Sequence, residues 1–479
     1  MSEFLVALEA TVADCLKGNP APFLSTQQIV TFFSLPAARD LCAYWSFTDM
    51  SLRTTNEALL KFPQRFLWGT ATSTTQIEGH IQNEWTGFVA RDGRTCHPAC
   101  DSYHRYAEDI QWMNQLEVNA YRMGIEWSRL QPAPYASLDQ VQLARYRDQL
   151  ERLNEAGIVP MVVLHHFSNP PWLNAIGGWT NAEAIPAVVD YVTKLVKALR
   201  ESVRIWNTFN EPDTYACCGY LIAEFPPLQK GMLVSYRKII RHMAEAHQQV
   251  CRVIRDVGSA LGPVEVGFSK NWTFFQPYQK QLPWDVFIAT FAHSQMNSFV
   301  LDSFLGDGRH AGSTFLGVNY YGRIRFKNFQ PLVPTFGFSI NDLAKMGVAC
   351  DDMLERYPAG LHIALETMYQ KYRLPIYVTE HGSASSDENF RERDLKENLA
   401  SLHRAIEKGV DVRGFYYWSL LDNFEWQFGY SKKFGLIGVD FDDEKLPRRM
   451  KTLGEIYRGI CRENGFSPSH GAGNGHAAK

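Results

Sequence analysis

Between Lys61 and Cys461 the chain alternates short, nearly continuous apolar runs with longer stretches whose apolar positions recur at helical spacing. Eight of the runs predict strands: FLWGTATS, VNAYRMGIEW, IVPMVVLHH, VRIWNTFNE, VEVGFSK, TFLGVNYY, PIYVTE and VRGFYYWS. Near-continuous hydrophobicity is what parallel strands show when helices cover them. The segment from Val141 to Ala156 places Tyr146, Leu150 and Leu153 at i, i+4 and i+7 and stops at Gly157, which predicts a helix with a glycine stop. Thr180 followed by Glu183 predicts a capping box for the next helix. Eight strands with helical crossovers predict an α/β fold, a single (β/α)8 TIM barrel.

Residues 1–60 fall outside this alternation. Short helices are expected there around Glu3 to Leu16 and Thr26 to Phe33, divided by NPAP and LPAARD, because proline limits helix continuation. This N-terminal helical extension carries no recognisable chemistry and is expected to be dispensable for catalysis. The barrel unit is read as residues 61–461. The remainder, 462–479, ends in SPSHGAGNGHAAK and is expected to be disordered, since it has little apolar surface to offset the entropy of ordering.

Charge narrows the partners. With 48 Lys+Arg against 51 Asp+Glu the formal net charge is −3, and no long basic run is present. Neither nucleic acid nor an anionic membrane surface is therefore an expected partner. The nine cysteines are odd in number and scattered, the pattern of free thiols in a reducing compartment. Cys96 and Cys100 lie four apart, but no second pair at ligand spacing follows, so no zinc site is expected. Glu3 stands where a signal peptide needs a basic residue. No stretch approaches the roughly 18 apolar residues of a membrane span, and the cytoplasm is the expected location. The 12 tryptophans add flat faces that suit sugar rings, although a large core uses such residues too.

Many of the runs turn polar or aromatic at their C-terminal ends: His165 and His166, Asn210 and Glu211, Asn319 with Tyr320 and Tyr321, Glu380, and Trp418. In a barrel those ends converge on the face that carries active sites. A lone glutamate there can simply cap a helix, whereas a ring of such residues points to function. Glu211 in WNTFNEP and Glu380 in IYVTEHG share one context, an apolar strand followed by a turn-forming residue. Two carboxyl groups facing each other across a pocket are what glycosidic cleavage needs, one to protonate the leaving oxygen and one to meet the developing oxocarbenium ion. A metal site is the rival reading, but it needs further ligands that HHFSNPPW supplies only doubtfully. No cofactor is expected.

These motifs carry a family resemblance. FPQRFLWGTATSTTQIEG, TFNEP, YVTEHGSA and YYWSLLDNFEWQFGYSKKFGLIGVDF together resemble glycoside hydrolase family 1, the β-glucosidase type, from Lys61 to about Cys461. The resemblance implies retaining hydrolysis of β-glycosides, with Glu211 as general acid/base and Glu380 as nucleophile. It further implies that Gln76, His166, Asn210, Glu425 and Trp426 hold the non-reducing sugar over Trp418. Arg122 and Tyr321 match groups that contact the nucleophile, Tyr321 also facing substrate, and Asn319 is grouped with Arg122 as support. A retaining enzyme is expected to hold its carboxyl groups about 5–5.5 Å apart.

Some positions depart from the family pattern. His381 follows the nucleophile where Asn is usual, Phe167 follows His166 where Trp is common, Phe428 precedes GY where a small or acidic residue is frequent, and MGIEW places Gly124 and Glu126 in a commonly serine-rich segment. They bear on aglycone and sugar preference. His165, beside His166 on one strand, is expected to point behind the barrel. Cys217 and Cys218 are read as buried thiols, and Lys432 and Lys433 as a solvated pair. The alternatives are a 6-phospho-β-glycosidase, which Glu425 would disfavour by repelling the phosphate, and a non-catalytic sugar-binding homologue, which would lack a carboxylate. A transglycosidase shares every residue named.

Overall fold

Eight parallel strands close on themselves in a computed structural model that describes residues 59–306 and 310–468. They are β1 (Leu67–Ala71), β2 (Ala120–Gly124), β3 (Val159–His165), β4 (Ile205–Asn210), β5 (Glu265–Asn271), β6 (Leu316–Asn319), β7 (Ile376–His381) and β8 (Val412–Trp418). Each is the core of one predicted run. Helices follow them in turn: α1 (Ser102–Gln115), α2 (Gln140–Glu155), α3 (Ala184–Leu199), α4 (Leu233–Val253), α5 (Pro283–His293), α6 (Pro358–Tyr372), α7 (Glu388–Glu407) and α8 (Thr452–Glu463). Sequence neighbours pair throughout, and β8 closes onto β1 from Gly414 opposite Leu67 to Trp418 opposite Ala71. The helices expected within residues 1–58, and the tail from 469 on, lie outside the described residues.

The continuous apolar runs arise because both faces of each strand are buried. Outward-facing Trp68, Tyr121, Val162, Trp206, Phe268, Val318, Val378 and Phe415 pack beneath the helices, while Ala71, Ala120, Met161, Ile205, Tyr377 and Tyr416 fill the barrel interior. A Cβ on Gly69 would lie 2.4 Å from a ring carbon of Tyr416, so glycine is what lets that ring cross the interior. Nearer the C-terminal ends the interior turns polar. Arg122, Asn207, Ser269, Asn319 and Thr379 are all fully buried there and hydrogen-bond to one another or to the residues above them.

Helix α2 forms as its pattern predicts. Asp139 accepts from the N–H groups of Val141 and Gln142 at its start, Tyr146, Leu150 and Leu153 are buried, and Gly157 takes φ +73° after its end. The predicted capping box does not form. Thr180 belongs to a preceding 3-10 turn and donates to the Gly177 carbonyl at 2.6 Å, while Asn181 accepts from Glu183 N–H at 3.1 Å and α3 begins at Ala184. The hydroxyl finds a nearer acceptor than the box offers.

Two features were not anticipated. A small sheet beside the barrel joins Phe274–Pro277 parallel to Arg323–Lys327, which pairs antiparallel with Gln330–Pro331. Leu60–Lys61 pairs antiparallel with Gly465–Phe466, so the ordered chain runs on past Cys461. Asn464 joins this pairing to the start of β1, accepting from Phe62 N–H at 3.0 Å and from the Trp68 indole at 2.9 Å.

Candidate active site

The nominated side chains meet at the C-terminal ends of the strands. His166, Asn210, Glu211, Tyr321, Glu380, Trp418, Glu425 and Trp426 line one cavity of ≈ 170 Å³, and Gln76, Arg122 and Asn319 reach it by hydrogen bonds. Strand geometry explains the convergence, since each of these residues ends a barrel strand or lies in the segment that follows one, except Arg122, which reaches up from the middle of β2.

Glu380 is anchored at both oxygens. Arg122 donates to Oε1 at 2.5 Å and the Tyr321 hydroxyl to Oε2 at 2.7 Å. Burial pushes the carboxyl above its usual range, and the Arg122 guanidinium and the Tyr321 donor pull it back. Arg122 is itself held by Asn210 Oδ1 at 2.6 Å and Ser269 Oγ at 3.3 Å. A Cβ on Gly382, two residues after Glu380, would lie 2.0 Å from the Trp418 carbonyl oxygen, so the turn after β7 accepts no side chain.

Glu211 has different partners. It sits between β4 and the short helix Pro212–Tyr220 with φ +40°, a left-handed conformation costing about 1–3 kcal/mol that sites of function commonly hold. Its oxygens accept from Asn319 Nδ2 at 2.6 Å and Asn271 Nδ2 at 3.2 Å, both neutral amides. Burial first, then the Glu380 and Asp213 charges, push its carboxyl up to about 8. Asn319, expected to support Glu380, thus bonds Glu211 directly, while it also helps to hold the Glu380 carboxyl down. Close by, Lys270 Nζ meets Asp213 Oδ2 at 2.9 Å in a buried ion pair.

The remaining groups form a polar and aromatic wall. Gln76 Nε2 donates at 3.1 Å both to Glu425 Oε2 and to Asn423 Oδ1, and Ser73 fixes its other end at 2.7 Å. Burial and the Glu380 charge push Glu425 up to about 8, while the Gln76 amide and the Trp418 N–H pull it down. Asn210 donates to His166 Nε2 at 2.9 Å, so the neutral ring carries its proton on Nδ1, which is buried without a protein partner among the described residues. Trp426 tilts against Phe167 and Phe225, with ring centroids 5.1 and 5.7 Å away.

Several expectations resolve here. His165 does point behind the barrel, packed on Trp179, Phe209 and Tyr215 and 3.2 Å from Asn169 Oδ1. With the two histidines turned apart, they do not supply a joint metal site with the glutamates. His381 also faces outward, its Nδ1 donating to the Tyr320 carbonyl at 2.8 Å, so this departure does not reach the ligand. Phe167 and Phe428 do line the cavity. Glu126 accepts from Thr74, Ser128 and Ser168, and Gly124 leaves room for the Thr74 methyl, so the unusual MGIEW is matched by its neighbours. Cys218, read as a buried thiol, is half-buried and lines the cavity, and Cys217 is half-buried as well. Lys432 is not simply solvated, because it lies 3.5 Å from Asp352 and over the Phe428 ring.

Sequence reasoning missed Asn271, one residue beyond the run VEVGFSK and polar at a strand end like the others. It also missed the loop wall of Asp351, Met353 and Leu354. Asp351 accepts from the N–H groups of Met353, Leu354 and Ala384, tying that wall to the segment after Glu380.

A closed parallel barrel that gathers two differently partnered buried carboxyls, a third carboxyl chelated by an amide, and a tryptophan-rich wall has the equipment of a glycoside hydrolase. The chain belongs to glycosyl hydrolase family 1, whose profile matches residues 59–315 and 309–466. Beta-glucosidase A of Thermotoga maritima is 31% identical over 454 residues, covering 85% of this chain and 99% of the relative. The bifunctional beta-D-glucosidase/beta-D-fucosidase of Bifidobacterium breve is 31% identical over 445 residues, covering 81% and 96%. Among solved structures, the family 1 β-glucosidase from Thermotoga maritima in complex with isofagomine lactam superposes with a TM-score of 0.76 at 28% identity, covering 85% of this chain and all of that one. The chain is a glycosidase of the β-glucosidase type.

Proposed function

We propose that the protein hydrolyses terminal β-D-glycosides with net retention, Glu380 acting as nucleophile and Glu211 as acid/base. The observation that carries this reading is the unequal partnering of the two carboxyls: a guanidinium and a phenol on Glu380, neutral amides on Glu211. Glu380 attacks the anomeric carbon as Glu211 gives its proton to the leaving oxygen, forming a glycosyl ester. Glu211, now ionised, takes a proton from water, which displaces Glu380 and restores both groups. A panel of p-nitrophenyl glycosides, α and β, with and without 6-phosphate, tests it. The β-glucoside or β-fucoside is expected to turn over fastest, and NMR to show the β anomer first; an initial α product overturns the assignment.

The apolar wall of Phe167, Phe225, Met353, Leu354 and Phe428 supports an apolar or aryl aglycone. Lys432 is engaged by Asp352 and lies outside the cavity lining, which disfavours a phosphate site. Residues 1–60 precede every motif residue, from Gln76 on, which supports reading them as an extension without part in the chemistry. The seven cysteines among the described residues are unpaired, in keeping with a cytoplasmic location, and no described helix is long and apolar enough to cross a membrane.

Glu425 gives a direct test of the sugar site. Its hydrogen bonds to two sugar hydroxyls are worth about 0.5–1.5 kcal/mol each for the protonated carboxyl of neutral pH and about 1.5–3 kcal/mol each once it ionises near 8, and part of that strengthens as the ring distorts. Glu425→Ala is expected to lower kcat/KM on an aryl β-glucoside roughly 10–1000-fold and to lower kcat as well. Unchanged glucoside turnover, or a wild-type preference for the 6-phosphoglycoside, removes Glu425 from the sugar site.

A further inference from the structure

On the surface beside the barrel, two segments bring three histidines and an aspartate together. His80 follows the short helix Thr74–Ile77, which carries Gln76; His97 and Asp101 lie in the loop before α1; and His104 stands in the first turn of α1. One potential ligand atom from each of His80, Asp101 and His104 lies within 4.8 Å of the other two, and His104 Nδ1 is 2.6 Å from Asp101 Oδ1. The His80 ring meets His97 edge-on at 4.1 Å and His104 at 5.8 Å. We propose that His80, Asp101 and His104 form a binding site for one divalent transition cation of the Zn²⁺ type.

The donor set fits such an ion. Two imidazoles and a carboxylate are borderline ligands that suit zinc, and three protein ligands leave a fourth position for water. His97 serves as a support rather than a ligand. Its Nδ1 accepts from His80 N–H at 3.3 Å, so the neutral ring carries its proton on Nε2 and braces the His80 ring from the side. The Arg129 guanidinium is occupied by Glu78 at 2.9 Å and the Gly79 carbonyl at 2.5 Å. Cys96 and Cys100, the sulfur candidates of the same segment, turn inward, and Cys100 Sγ meets the Asp422 carbonyl at 3.1 Å. His97 between them and His104 after them are exposed, and Asp101 is half-buried.

The ligands must bind in their deprotonated forms, so affinity falls as pH falls. The site also ties the loop behind Gln76 to α1, and occupancy raises the melting temperature. The test titrates the full-length, chelator-treated protein with ZnCl₂ by calorimetry at pH 7.5 and at pH 5.5, with Co²⁺ absorption as a spectroscopic readout. One equivalent is expected to bind at pH 7.5 with a tetrahedral Co²⁺ spectrum, at least tenfold more weakly at pH 5.5. His104→Ala and His80→Ala, both at exposed positions, are each expected to weaken binding by roughly 100-fold or more, since even outer partners are worth 10–100-fold. His97→Ala is expected to weaken it by about tenfold. Absence of stoichiometric binding, or stoichiometric binding that survives in a folded His80→Ala/His104→Ala protein, overturns the proposal.

Discussion

Glycine in place of Glu380 is expected to lower turnover of an aryl β-glucoside by roughly 10⁴-fold or more in a protein that remains folded. Removing the carboxylate deletes the group that captures the anomeric carbon. The pocket around it stays largely built, because Arg122 keeps its bonds to Asn210 and Ser269. That leaves a cationic vacancy facing the sugar, so a small anion such as azide is expected to enter beside Arg122 and restore part of the rate with activated substrates. Azide attacks the face Glu380 used and is not displaced again, so the product is the α-glycosyl azide, identifiable by NMR. A Glu380→Gly protein within tenfold of the parent would remove this residue from the chemistry.

Glu211→Ala is the second large effect, and it depends on the leaving group. For a poor leaving group, loss of the proton donor should cost about 10²–10⁴-fold. With 2,4-dinitrophenolate, which departs without help, glycosylation should be nearly unaffected, while slow deglycosylation produces a burst of phenolate. The pH profile follows from the same group. Donation requires protonated Glu211, whose carboxyl is pushed up to about 8, so kcat/KM of the parent is retained below that pH and lost as pH rises through it. Nucleophilic attack requires ionised Glu380, so the acid limb marks its protonation, with the two carboxyls titrating as a coupled pair. In Glu211→Ala the alkaline limb should disappear for the activated substrate. A limb that persists unchanged assigns it to another group, Glu425 first, whose carboxyl is also pushed up to about 8.

The barrel was legible because parallel strands covered on both faces announce themselves as unbroken apolar runs, and every run from FLWGTATS to VRGFYYWS holds one strand. The central glutamates and the tryptophan were legible because strand ends share one face. What escaped has no short-range signature. Phe274–Pro277 and Arg323–Lys327 find each other across intervening elements, so neither declares its partner locally. Met353 and Leu354 reach the cavity through a turn that Asp351 builds from three backbone N–H bonds, a feature with no periodicity to read. Cys218 and His381 show the limit of reasoning by residue type: the orientation of each is decided by the element carrying it, one in a helix beside the cavity and one on the outward side of β7.

The pairing of Leu60–Lys61 with Gly465–Phe466 brings the two ends of the described barrel side by side at the start of β1. The substrate entrance lies at the far ends of the strands. Cargo fused or tethered at either junction is thereby carried on the pole opposite the sugar's path, so an immobilised or multi-enzyme form would keep an unobstructed mouth. The same adjacency means a short covalent bridge could join the junctions and move the cut ends of the polypeptide to a surface loop, a circular permutation in which the antiparallel pair becomes an ordinary hairpin.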